Sequence, residues 1–143
     1  MKKLFLILLS VVAMTAFMSC DDKPVTGDKL PAKAKTFLNT YFPGIDILSV
    51  IKDDDSYDVD LVDGTDVDFR LNGEWKKVDC EGRPVPTGFY PTSIDSYVTT
   101  NYSTMAYIED IEFEHNRYKV GLNFPLDIDL VFDKNGNFIG IDD

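Results

Sequence analysis

The chain has one histidine, His115, and two cysteines, Cys20 and Cys80, to set against 25 acidic and 14 basic residues. A thiol nucleophile needs a base to raise its thiolate fraction, and no cysteine-protease signature surrounds either thiol or His115. Cys80 therefore reads as a structural thiol. There is no Ser-His-Asp spacing, nucleophile elbow, phosphate loop or dinucleotide fingerprint. One histidine and one downstream thiol are too few for zinc. Carboxylates are plentiful, but a glycosidase pair needs a concave sugar site that no motif indicates. This inventory predicts a non-enzyme, with a hydrolase of unfamiliar site as the alternative.

The remaining chemistry is carboxylate chemistry. Asp58 and Asp60 alternate with Tyr57, Val59 and Leu61; Asp66 and Asp68 alternate with Val67, Phe69 and Leu71, with Arg70 following in phase. Alternation marks a half-buried strand. Pairing Leu61 with Val67 and Val59 with Phe69 keeps apolar residues on one face, with Asp63-Gly64-Thr65 as the turn. Asp60 then lies opposite Asp68, and Asp58 opposite Arg70. In the second half the same reading places Asp127 and Asp129 on the acidic face and Gly121 opposite Asp129. Asp58, Asp60, Asp66, Asp68, Arg70, Asp127 and Asp129 are thus the candidate partner-binding residues, for a basic envelope protein or peptide. Asp60 and Asp68 form a weak calcium candidate, since calcium takes about 6 to 8 oxygen ligands. Asp133-Lys134-Asn135-Gly136-Asn137 opens like a calcium loop but has no Glu at its twelfth position, so it reads as a turn.

The start of the chain sets the compartment. Lys2 and Lys3 precede an apolar run, Leu4 to Phe17, broken only by Ser10 and Thr15, and small and polar residues return at Ser19. Residues 1–19 read as a secretory signal peptide. The run falls short of the roughly 20 apolar residues of a spanning helix. Cys20 directly after it resembles the lipobox cysteine of bacterial lipoproteins, although Phe17 stands where a leucine is usual. The expectation is a lipid-anchored envelope protein, otherwise a soluble periplasmic one. Removing 19 of 143 residues leaves 124, enough for one domain. Losing Lys2 and Lys3 leaves 12 basic against 25 acidic residues, −13 formally, which repels nucleic acid.

Two stretches of the mature chain read alike. Leu30, Ala34, Phe37, Leu38 and Tyr41 form one helical face behind Pro31; Ile94, Tyr97, Val98 and Tyr102 form another behind Pro91. Tyr118, Val120 and Leu122 repeat Tyr57, Val59 and Leu61 at an offset of 61 residues. Asp127-Ile128-Asp129-Leu130 repeats Asp66-Val67-Asp68-Phe69 at the same offset, and Asn135-Gly136-Asn137-Phe138 follows Asn72-Gly73-Glu74-Trp75 two residues further out of step. The expected fold is α+β: two tandem repeats of a helix plus a four-stranded antiparallel sheet, helices packed on one face. Repeat one spans 30–81, the linker 82–89 and repeat two 90–143, behind a polar tether over 20–29. Whether the sheets are separate or continuous is left open by the pattern.

The strands Asp-Val-Asp-Phe and Asp-Ile-Asp-Leu, each followed by an Asn-Gly turn and an aromatic, resemble the beta-lactamase-inhibitor-like, PepSY-like domain family over Leu30 to Asp143. The resemblance implies a small periplasmic or lipid-anchored protein of a Gram-negative bacterium with a fold like that of a beta-lactamase inhibitor protein. It brings no catalytic motif and no cofactor, and carries a family association with enzyme inhibition and calcium response. The functional expectation is a non-enzymatic cell-envelope binding module acting through an open sheet face, with a calcium-responsive periplasmic protein as the alternative.

Overall fold

The computed structural model describes residues 22–123 and 125–142; the expected signal peptide over 1–19 and the expected lipidation site Cys20 lie outside them. Helix α1 (Ala32–Tyr41) precedes strands β2 (Ile47–Lys52), β3 (Ser56–Leu61), β4 (Asp66–Arg70) and β5 (Trp75–Asp79). Helix α2 (Thr92–Asn101) precedes β6 (Ile108–Glu114), β7 (Arg117–Leu122), β8 (Asp129–Asp133) and β9 (Phe138–Asp142). Ahead of them all, β1 (Lys23–Pro24) pairs with Lys52 and Ile51. Part of the segment expected to be a free tether is therefore an edge strand, followed by a 3-10 turn at Gly27–Lys29.

All nine strands form one antiparallel sheet in sequence order. Of the two arrangements the sequence pattern left open, separate or continuous sheets, the structure has the continuous one, with β1 as a ninth strand. Its seam is the β5–β6 ladder, where Lys77, Val78 and Asp79 face Glu112, Ile111 and Asp110. Cys80 and Val85 extend the seam by donating their amides to Glu109 and Ile108. One transverse row of apolar side chains crosses it: Val50, Val59, Val67, Val78, Ile111, Val120 and Leu130 are in register and buried. Both helices cover this side. α1 buries Ala34 and Leu38 and α2 buries Ile94 and Val98, the faces their spacing predicts. Pro31 and Pro91 sit one position before the first helical residue, at the N-cap.

The β3–β4 register is two residues away from expectation. Val59 faces Val67 and Tyr57 faces Phe69, so the loop is Val62-Asp63-Gly64 and Thr65 belongs to the strand end. The reason is Thr65. It is fully buried, and its hydroxyl and the Asp63 carboxylate both accept from Arg83 of the inter-helix linker. A shift of two preserves the faces of the strand, so the apolar and acidic sides are unchanged. In the second half Val120 faces Leu130, as expected, but Leu122 donates to Ile128 across a five-residue loop. The two extra residues therefore sit between β7 and β8, not in the Asn-Gly turn.

Both Asn-Gly turns dock on helix starts. Gly73 (φ +85°) and Gly136 (φ +82°) are left-handed, and a Cβ on either would lie 2.8 Å from Pro31 Cβ or 2.7 Å from Pro91 Cβ. Gly64 is also left-handed but faces open space. Gly73→Ala and Gly136→Ala should each cost about 2 kcal/mol or more, from strain and overpacking together, and Gly64→Ala about 1 kcal/mol. Urea unfolding checks this; equal losses at all three would show that the turn–helix contacts carry nothing.

Candidate binding face

Parity places every other strand residue on the face away from the helices. The row next to the apolar one reads Ser49, Asp60, Asp66, Asp79, Asp110, Gly121, Asp129 and Asp142, one residue per strand from β2 to β9. Six of the eight are aspartates. The next row reads Ile51, Asp58, Asp68, Lys77, Glu112, Lys119, Val131 and Gly140. There the charges alternate in sign from Asp68 to Lys119, so neighbours compensate one another.

The aspartate row is compensated at its end and less in its middle. Lys119 Nζ reaches Asp129 and Asp142 at 3.0 and 2.9 Å, and Ser49 donates to Asp60. Lys77 stands 3.9 Å from Asp79. Asp66 and Asp110 form no ion pair among the described residues. Burial pushes the Asp66 carboxyl up, and the neighbouring Asp60 adds to it. Asp110 is pushed up to about 6 by burial and then by Asp79 and Asp129. Its carboxylate lies in the space a side chain at position 121 would fill, since a Cβ on Gly121 would meet Asp110 Oδ2 at 1.9 Å. Asp68 is likewise pushed up to about 6, by burial first and Asp58 second.

Of the residues singled out in the sequence, Asp58, Asp60, Asp66, Asp68 and Asp129 lie together on this face. Their partners differ from expectation: Asp60 faces Asp66 and Asp58 faces Asp68, so the expected Asp60–Asp68 pair is not formed. Among the described residues no three acidic, histidine or cysteine side chains converge to hold a metal ion. Arg70 faces Ser56 and not Asp58, and its guanidinium crosses β5 to donate to the carbonyls of Trp75 and Phe113. It clamps the two halves together and is spent internally. Asp127 lies in the exposed β7–β8 loop with φ +46°, off the sheet face. Asp133 is held well below the usual carboxylate range by donors from its own turn, Asn137 first.

Asp79, Asp110 and Asp142 were not singled out, nor Lys77, Glu112 and Lys119. Their signal was present in part: Val78 and Ile111 are core residues, so their neighbours must face the other way. Bulges at Leu48, Lys76, Glu109 and Ile139 break the alternation in four strands and hide the pattern. Aromatic residues gather at the seam instead of on the acidic face. Phe37, Trp75, Phe113 and Tyr118 line a cleft of about 600 Å³ with Arg70 and Lys33. Cys80 is buried, and burial pushes its thiol up to about 11, which suits a structural role.

Residues 55–140 match the PepSY-like family, provisionally described as beta-lactamase-inhibitor-like. The chain is 34% identical to a Bacteroides thetaiotaomicron protein of solved structure, provisionally named a calcium-regulated periplasmic protein, over 86% of this chain and 98% of that one (TM-score 0.78). It is 35% identical to a periplasmic protein of the DUF2874 family from Bacteroides vulgatus, over 86% and 98% (TM-score 0.78). A periplasmic protein of unknown function from Bacteroides vulgatus is 29% identical over 85% and 99% (TM-score 0.79). Among curated proteins none matches the chain. Among the described residues no helix is long and apolar enough to cross a membrane.

A carboxyl raised by folding makes its ionisation destabilising: stability is fully present below the unfolded value and is lost as pH rises through the folded one. Lowering the pH from about 7 toward about 4 should therefore raise the stability contributed by Asp68 and Asp110. Asp68→Asn and Asp110→Asn should each stabilise the protein at neutral pH by about 0.5–1 kcal/mol after solvent screening, and flatten that slope. Thermal unfolding against pH decides; variants no more stable than the parent at pH 7 would refute the assignment.

Proposed function

The chain belongs to the beta-lactamase-inhibitor-like, PepSY-like family, and we propose that it is an exported, non-enzymatic module of the bacterial cell envelope that binds a basic protein or peptide on its open sheet face. The observation that carries this is the aspartate row. Six carboxylates in line across a helix-free face, three of them (Asp60, Asp66 and Asp110) without an ion pair among the described residues, form a negative strip that folding alone gives no reason to keep. The periplasmic relatives support the compartment. The finer address, a signal peptide over 1–19 and a lipid on Cys20, belongs to the same proposal. So does the reading of 30–81 and 90–143 as duplicated units joined by 82–89. Its support is the shared order of one helix and four strands, with a left-handed Asn-Gly turn docked on each helix start.

The test is capture of a partner from envelope extract by the immobilised protein. Capture should weaken as salt rises, and fall about tenfold in the double variant Asp66→Asn, Asp110→Asn. A partner retained equally at high salt and by that variant would overturn the open-face reading.

One relative's provisional name favours a second reading, a calcium response. Calcium would bridge facing aspartates such as Asp60–Asp66, with water completing the shell. Millimolar calcium should then raise the thermal midpoint, and Asp66→Asn should abolish the rise. A midpoint that does not move removes this reading.

A further inference from the structure

The two edges of the sheet are guarded differently. On one side Lys23 and Pro24 of β1 lie over β2, and Val25 donates its amide to the Val50 carbonyl. Lysine and proline are the residues that discourage further strands from joining an edge, proline because it has no N–H to offer. On the other side β9 pairs only with β8 among the described residues. Its sequence, Phe138-Ile139-Gly140-Ile141-Asp142, holds no proline and no cation. Its single charge, Asp142, is turned back over the sheet by Lys119, two strands inward. Ile139 and Ile141 are 50% and 56% exposed. Gly140 needs neither a left-handed backbone nor space, since nothing lies within 4 Å of where its Cβ would be. Gly140 follows the bulge at Ile139, and its bare Cα leaves room for another backbone to come alongside the strand there.

We propose that β9 is a strand-addition edge that takes an extended segment of another protein, alternately apolar and basic, as a tenth strand. The alternation follows from the two sides it would meet. Toward the helices it lies beside Phe138 and Ile141, both exposed; toward the open face it lies beside Asp142, which shares the single Lys119 cation with Asp129, so that end of the row keeps a net negative charge. A second copy of the chain is the poorer occupant, because it would set Asp142 and a formal charge of −11 against their own kind. The inference goes beyond open-face binding, since it requires the β9 backbone and exposed isoleucines and not the middle of the aspartate row.

A labelled peptide of about seven residues alternating valine and lysine, acetylated and amidated, is the probe. It should bind the mature protein, protect β9 amides from hydrogen exchange, and lose binding when alternate amides are N-methylated so that they cannot pair. Ile141→Lys should weaken it about tenfold, while Leu48→Lys, the same added charge at the guarded edge, leaves it unchanged. The N-methylated peptide and the exchange measurement decide the matter even where Ile141→Lys folds poorly. Binding indifferent to N-methylation, or lost only in the Asp66→Asn, Asp110→Asn variant, would overturn the edge and leave the open-face reading standing. No binding overturns the edge alone. A dimer in sedimentation that Ile141→Lys dissolves would assign the edge to a second copy and overturn the proposal.

Discussion

Everything in this fold depends on one line of contact: the buried row from Val50 to Leu130, seven strands wide, pressed against α1 and α2. Each such side chain contributes about 1.5–3 kcal/mol by leaving water, a total set against a backbone ordering cost of similar size. The row also fixes position. Because strand side chains alternate, holding Val59, Val67, Val78 and Ile111 in register forces their neighbours into register on the far face. The aspartate row is thus the geometric shadow of the core. A two-residue slip of any strand would break both rows, and a one-residue slip would put carboxylates against the helices.

The two outer rows show what that alignment costs. Where Asp68, Lys77, Glu112 and Lys119 stand in turn, opposite charges meet and the alignment is favourable. One step along, Asp60, Asp66, Asp79 and Asp110 stand side by side, and the carboxyls of Asp66 and Asp110 are raised by burial first and by these neighbours second. Gly121 relieves some of the crowding by leaving room for the Asp110 carboxylate to lie over β7. Local rules are broken here, since like charges stand opposed across neighbouring strands, and it is on this row that the proposed binding face lies.

Much of this was legible in the residues. The helical faces, the strand alternation, the Asn-Gly turns and Gly121 opposite Asp129 followed from periodicity and turn chemistry. The β3–β4 register did not, because Thr65 looks like a turn residue until Arg83, 18 positions away, is seen holding its hydroxyl. Asp127 looked equivalent to Asp66 because a fixed offset cannot reveal that the two extra residues sit before β8. Arg70 looked like a surface cation and is a crosspiece between β5 and β6. Half of the aspartate row lay beyond the seam or behind bulges. Sequence spacing is silent on which strands meet at a seam, because that pairing is set by tertiary packing.

The seam itself has a consequence for how the molecule holds together. β5 and β6 are joined by three facing pairs, by the Cys80 and Val85 amides, and by the Arg70 guanidinium. Parting the halves there would strip two central strands of their neighbours and open the aromatic cluster around Trp75, Phe89 and Phe113 to water. The seam thus ties the two halves into one sheet, so a lesion that parts β5 from β6 would expose both central strands and the aromatic cluster at once.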